Sequence, residues 1–161
     1  MYVLGIDIGG VISDRLNDAK QSGKDPDAFL KAPPVAGALE TLRVLYHEFG
    51  GHVYLVSKCH WKMQLKTRLW LREQYVYELT GIDPDHVWYC LERREKADIC
   101  KVLGITHFID DRLEILGTLK SVPNKILFRP NQKEVDRYAE HLPLVKRVES
   151  WGEVFRLITT R

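Results

Sequence analysis

Asp7, Ser57, Lys96, Asp110 and Asp111 carry groups that together suit phosphoryl transfer. A carboxylate can attack phosphorus or hold Mg²⁺. A hydroxyl and an ammonium can hold phosphate oxygens, and further carboxylates complete a hard, oxygen-only metal site. Asp7 is followed by Ile8-Gly9-Gly10. Glycine lets backbone N–H groups come close to an anion, because no Cβ stands in the way. Each residue also has a structural reading. Asp7 could sit in a turn, Asp110 or Asp111 could cap a helix, and Ser57 could simply end a strand. Lys96 has Arg93, Arg94 and Lys101 as basic neighbours that could replace it.

The elements around these residues decide between the readings. Tyr2–Ile8 reads as a strand that delivers one acid to its C-terminal end. His52–Ser57, His86–Cys90, Thr106–Asp110 and Lys125–Phe128 read as further strands, with Leu144–Val148 as a short edge strand. Helical periods lie between them. Val35–Phe49 is stopped by Gly50-Gly51. Trp61 to about Leu79, Glu95–Leu103, Leu113–Leu119, 131–141 and Trp151–Ile158 follow. This alternation predicts a three-layer α/β/α domain with a Rossmann-like parallel sheet. Right-handed crossovers put all strand C-termini on one rim. Asp7, Ser57, Cys90 and Asp110 therefore share that rim, where ligands bind in such sheets. Residues 1–161 read as a single domain, with Asp14–Pro34 as a small cap or loop insertion.

Bulk properties narrow the class. The chain has 161 residues, a net charge of +2, 45% hydrophobic and 29% charged residues, as expected of a soluble globular protein. That charge gives no argument for nucleic acid or an anionic membrane as partner. Three cysteines without a CxxC pair point to a reducing, cytoplasmic setting. No apolar run reaches the length of a membrane span. Trp61, Trp70, Tyr75 and Tyr77 alternate with Lys62, Lys66, Arg68 and Arg72. Core packing with a solvated basic face is the expectation there, and Trp88 and Trp151 read as core.

The order and spacing of the rim residues resemble the haloacid dehalogenase-like hydrolase superfamily, from Asp7 to the Lys125–Phe128 strand. Asp7-Ile8-Gly9-Gly10-Val11 stands where that superfamily has Asp-x-Asp-Gly-Val/Thr after its first strand. Ser57 matches its second motif, Lys96 its third and Asp110-Asp111 its acidic fourth. The run FIDDR is similar to the small deoxyribonucleotidase branch. The resemblance implies the strand order 5-4-1-2-3 and Asp7 as nucleophile, with Ser57 and Lys96 as its catalytic companions. It implies Mg²⁺ held by Asp7, the Gly9 carbonyl, Asp110 and Asp111.

Two departures qualify this. The superfamily's second Asp, which protonates the leaving oxygen, is Gly9 here. A positioned acid contributes about 10²–10⁴-fold, so turnover depends on a good leaving group or on another proton source such as His60 or Asp14. A catalytically silent phosphate- or metal-binding module is the alternative. A C–halogen hydrolase needs no leaving-group acid, but that branch has no use for the Asp110-Asp111 pair. The second departure is the short insertion, which cannot close over a site by itself. The expected partner is a phosphorylated substrate, large enough for an open site or covered by a second protomer in a two-fold dimer.

Overall fold

Short uncharged runs separated by amphipathic stretches fold here into parallel strands covered on both faces. The computed structural model describes residues 1–14 and 27–160. Strands β1 (Leu4–Ile6), β2 (Val53–Lys58), β3 (Val87–Cys90), β4 (His107–Asp110), β5 (Asn124–Phe128) and β6 (Lys146–Val148) form one sheet. Their order is β3-β2-β1-β4-β5-β6, and every pairing is parallel. The expected order is present, with β6 added beyond β5.

Side chains alternate between the two faces of a strand, and two cores result. On one face, α1 (Ala38–Glu48), α2 (Trp61–Glu73), α3 (Val76–Thr80) and α7 (Trp151–Thr159) pack on Leu4, Ile6, Leu55 and Ile109. On the other, α4 (Arg93–Leu103), α5 (Leu113–Thr118) and α6 (Gln132–Arg137) cover Val3, Val56, Phe108 and Leu127.

Several elements differ from expectation for local reasons. The helix beginning at Trp61 breaks at Tyr75, whose left-handed backbone (φ 56°) separates α2 from α3. The 131–141 stretch is helical only to Arg137 and continues as a 3₁₀ turn over Ala139–Leu144. Trp151 is core, but Trp88 is 37% exposed. Among the described residues no strand lies outside the edge strand β3, so burial there is incomplete. Much of the 14–34 insertion lies outside the described residues. Its returning part does not hang free: a 3₁₀ turn at Ala28–Lys31 packs on α2, where the Trp70 indole donates to the Ala32 carbonyl at 2.8 Å.

Gly5 lies in β1 on the face covered by α4. A Cβ there would come within 2.6 Å of Phe108 and 2.8 Å of Ile105. Overpacking of this kind costs about 1–3 kcal/mol. Gly5→Ala should lower the urea midpoint accordingly without changing the slope. An unchanged midpoint would mean that Phe108 moves aside freely.

Candidate active site

The sheet register brings the first and fourth strands' acids together. Ile6 lies opposite Ile109, so Asp7 and Asp110 leave β1 and β4 at the same level. Both follow the alternation to the face covered by α4. That helix carries Lys96 on its buried side, and the side chain is only 1% exposed. Its Nζ donates to Asp7 Oδ1 at 3.1 Å and to Asp110 Oδ2 at 2.9 Å. The ammonium also lies 5.5 Å from the centre of the Phe108 ring, which fills the space that Gly5 leaves open. Among the basic residues near Lys96, Arg93 pairs with Glu114, Arg94 pairs with Glu92, and Lys101 is exposed.

Asp111 completes the acidic group. Oxygens of Asp7, Asp110 and Asp111 all lie within 4.8 Å of one another. Asp111 does not cap the following helix. The Leu113 and Glu114 N–H groups donate instead to Glu134 at 2.8 and 2.9 Å. Glu134 reaches across from α6 and fixes the start of α5. No local sequence signal marks it, because its partners are twenty residues away. Asp110 Oδ1 accepts from the Arg112 N–H at 3.0 Å, which sets its carboxylate plane.

The chain after Asp7 is wound tightly. The Ile8 carbonyl accepts from the N–H groups of Val11, Ile12 and Ser13. Positive φ falls on Gly10 (79°) rather than Gly9, and Gly9 is buried. Trp151, 1% exposed, ties this loop down by donating to the Val11 carbonyl at 2.9 Å.

The remaining candidates are placed less directly. Ser57 is buried at the rim on β2, one strand from Asp7, but its hydroxyl faces the Cys59 sulfur at 3.9 Å rather than Asp7 or Lys96. His60 is exposed and starts α2, accepting from Gln64 N–H through its carbonyl. Asp14 is half-buried and donates its N–H to Pro33. Burial pushes the Cys59 thiol up, and the Cys90 thiol up to about 11. Neither sits where a thiolate nucleophile is favoured.

Electrostatics tie the centre together. Burial raises Asp110 above its ordinary value, partly opposed by Lys96. Burial alone would push Lys96 down, but Asp110 and Asp7 more than reverse this and hold it above the usual lysine range. Three carboxylates converge around one ammonium. Clustered oxygen donors of this kind fit a hard divalent cation such as Mg²⁺. A different cavity of about 370 Å³, lined by Tyr2, His107, Asn124 and Lys146, lies at the opposite rim and contains none of these acids.

Solved structures share this architecture. A HAD family hydrolase from Deinococcus radiodurans R1, with bound phosphate and sodium, superposes with a TM-score of 0.65. It is 15% identical, over 98% of this chain and 95% of that one. A haloacid dehalogenase-like protein of unknown function from Agrobacterium tumefaciens gives 0.59 at 11% identity, over 90% of this chain and 69% of that one. The chain has the haloacid dehalogenase-like fold. No family model matches it. A curated "putative nucleotidase" of Oceanobacillus iheyensis is 31% identical over 104 residues, 63% of this chain and 51% of that protein. The chain thus spans about half the length of the curated relative it matches. Within this fold the acidic cluster lies at the strand ends of β1 and β4. No helix among the described residues is long and apolar enough to cross a membrane.

Lys96→Met removes the cation between two buried acids. Breaking a buried pair costs about 3–5 kcal/mol, and Asp110, already raised by burial, rises further. A carboxyl with a raised folded-state pKa takes up protons on folding. The variant should therefore regain stability as pH falls from about 7 towards 5, and lose it as pH rises. In the wild type the Lys96 contribution persists through neutral pH and is lost only in strong alkali. Urea titrations across that range check this, and a deficit independent of pH would contradict it.

Proposed function

We propose that the rim is the centre of a divalent-cation-dependent phosphohydrolase, with Asp7 as nucleophile. The observation that carries the reading is the buried Lys96 ammonium, bound at once to Asp7 and Asp110 beside Asp111. A purely structural ion pair would need one carboxylate. Here three converge at the end of the sheet where ligands enter this architecture. The Deinococcus structure, which carries phosphate and sodium, and the relative named as a nucleotidase support the substrate class.

In this reading Asp7, Asp110, Asp111 and the Gly9 carbonyl hold Mg²⁺, which would offset phosphate charge as the nucleophile approaches. An oxygen of Asp7 forms a bond to phosphorus while the ester P–O bond breaks, giving an aspartyl phosphate and the leaving oxyanion. Water then attacks that phosphorus, releasing inorganic phosphate and restoring Asp7. Lys96 would orient the Asp7 carboxylate for attack. Ser57, one strand over, would have to turn its hydroxyl away from Cys59 to receive a non-bridging phosphate oxygen.

Gly9 shapes the chemistry. With no carboxyl at that position, the leaving oxygen departs unprotonated. Acyl and aryl phosphates, whose leaving groups need little proton donation, should be cleaved far faster than alkyl phosphates. The aspartyl phosphate should also persist, because its hydrolysis lacks a base. The same substitution favours a second reading, a phosphate- and metal-binding module without turnover.

One series of measurements separates them. Beryllofluoride with Mg²⁺ should bind the wild type and not Asp7→Asn. Gly9→Asp should raise alkyl phosphate hydrolysis by roughly 10²-fold or more, since the left-handed turn residue is Gly10 and position 9 carries no such demand. Beryllofluoride binding without hydrolysis of any phosphate, in either form, would leave the binding module. Absence of both would end the phosphate reading.

A further inference from the structure

A second feature lies on the flank, beside the open edge of β3. Arg68 and Arg72 of α2, Tyr77 of α3, and Val87 and Tyr89 of β3 line a cleft of about 410 Å³, with Asp85 as its one acid. The two guanidinium groups are one helical turn apart, about 6 Å along the axis. Both are exposed, and neither pairs with a carboxylate among the described residues. Arg68 lies over the Tyr89 ring, 5.2 Å from its centre. The Tyr89 hydroxyl is buried with no hydrogen bond of good geometry, and burial pushes it up to about 12. It stays a neutral donor over the whole physiological range.

The cleft is continuous with the rim. Tyr89 pairs with Ser57 across β2 and β3, and the Cys59 N–H donates to the Cys90 carbonyl at 2.9 Å just above. At the top of α2, Trp61 is 63% exposed, with the Lys62 ammonium 5.7 Å from its ring. The aromatic–basic stretch expected to be core plus solvated charge is therefore divided. Trp70 goes inward, while Trp61, Arg68, Arg72 and the half-buried tyrosines form one face from rim to flank.

We propose that this face binds single-stranded nucleic acid. Cations spaced along a groove track a phosphodiester backbone, and aromatic rings between them stack on bases of any sequence. An acidic peptide would use the two arginines but has no use for the phenol rings. The overall charge of +2 does not reveal this surface, where two arginines face Asp85, with Glu78 near Tyr77. The inference goes beyond the phosphohydrolase reading and does not need turnover.

Fluorescence anisotropy with a labelled single-stranded oligonucleotide of roughly ten nucleotides tests it, using the Asp7→Asn protein so that hydrolysis cannot intervene. Arg68→Gln with Arg72→Gln should weaken binding about tenfold or more and reduce the salt slope by about 1.4, at 0.7 per phosphate on single strands. Tyr89→Leu should weaken it about tenfold, and Tyr89→Phe, which keeps the ring, much less. Lys101→Gln with Lys120→Gln removes the same charge from exposed sites elsewhere and should have little effect. Melting curves confirm that the variants fold. Absence of oligonucleotide binding, or equal losses in both charge pairs, would overturn the proposal. Arginine-dependent binding of polyglutamate in place of the oligonucleotide would overturn it in favour of an acidic protein partner. Beryllofluoride binding reports on the rim separately, so failure of either reading leaves the other standing.

Discussion

A charged amine held almost entirely out of water constrains everything at the rim of this sheet. Lys96 is tolerable where it lies only because Asp7 and Asp110 meet it at 3.1 and 2.9 Å. Those acids are in turn tolerable only because Lys96 is there, since an isolated buried charge costs several kcal/mol. The three groups come from β1, α4 and β4, so the ion cluster forms only when the parallel register of the sheet is correct. A slip of one residue in either strand would turn its acid to the opposite face and part the two. Gly5 and Phe108 belong to the same constraint: the missing Cβ admits the ring, and the ring lies against the ammonium.

Much of this was legible in the sequence because it is periodic. Uncharged runs alternating with helical periods give a parallel sheet, and a parallel sheet gives one rim that collects Asp7, Ser57 and Asp110. Lys96 was legible as a candidate among basic neighbours. Its selection follows from helix geometry, since it shares the buried side of α4 with Cys100. Other features are set by partners distant in sequence. Glu134 caps α5 from another helix, and Trp151 holds the loop after Asp7 from the far end of the chain. The exposure of Trp88 and Trp61 was not legible either. Composition makes a tryptophan core by default, and an edge strand or an outward helix face overrides that.

The two glycines after Asp7 divide their work. Gly10 takes the left-handed turn that winds the loop onto the Ile8 carbonyl, a conformation that residues with a Cβ rarely adopt. Gly9 carries no such obligation, and its chief property is the carboxyl it lacks. If the proposed phosphohydrolase reading holds, the carboxyl missing at Gly9 would favour forming and keeping a covalent phosphate over releasing it quickly.

The acidic rim and an adjoining basic flank are consistent with each other. The described part of the insertion, Ala28–Lys31, is committed to packing on α2 through Ala32 and Trp70. Those residues therefore act as a wall beside α2 and cannot also fold down over Asp7. On the proposed reading, a long polyanion would gain its affinity from cations and rings that run along α2 and β3. Binding energy collected on the flank would then help to position a phosphate at the rim, because remote contacts can offset the entropy of holding the reacting group in place.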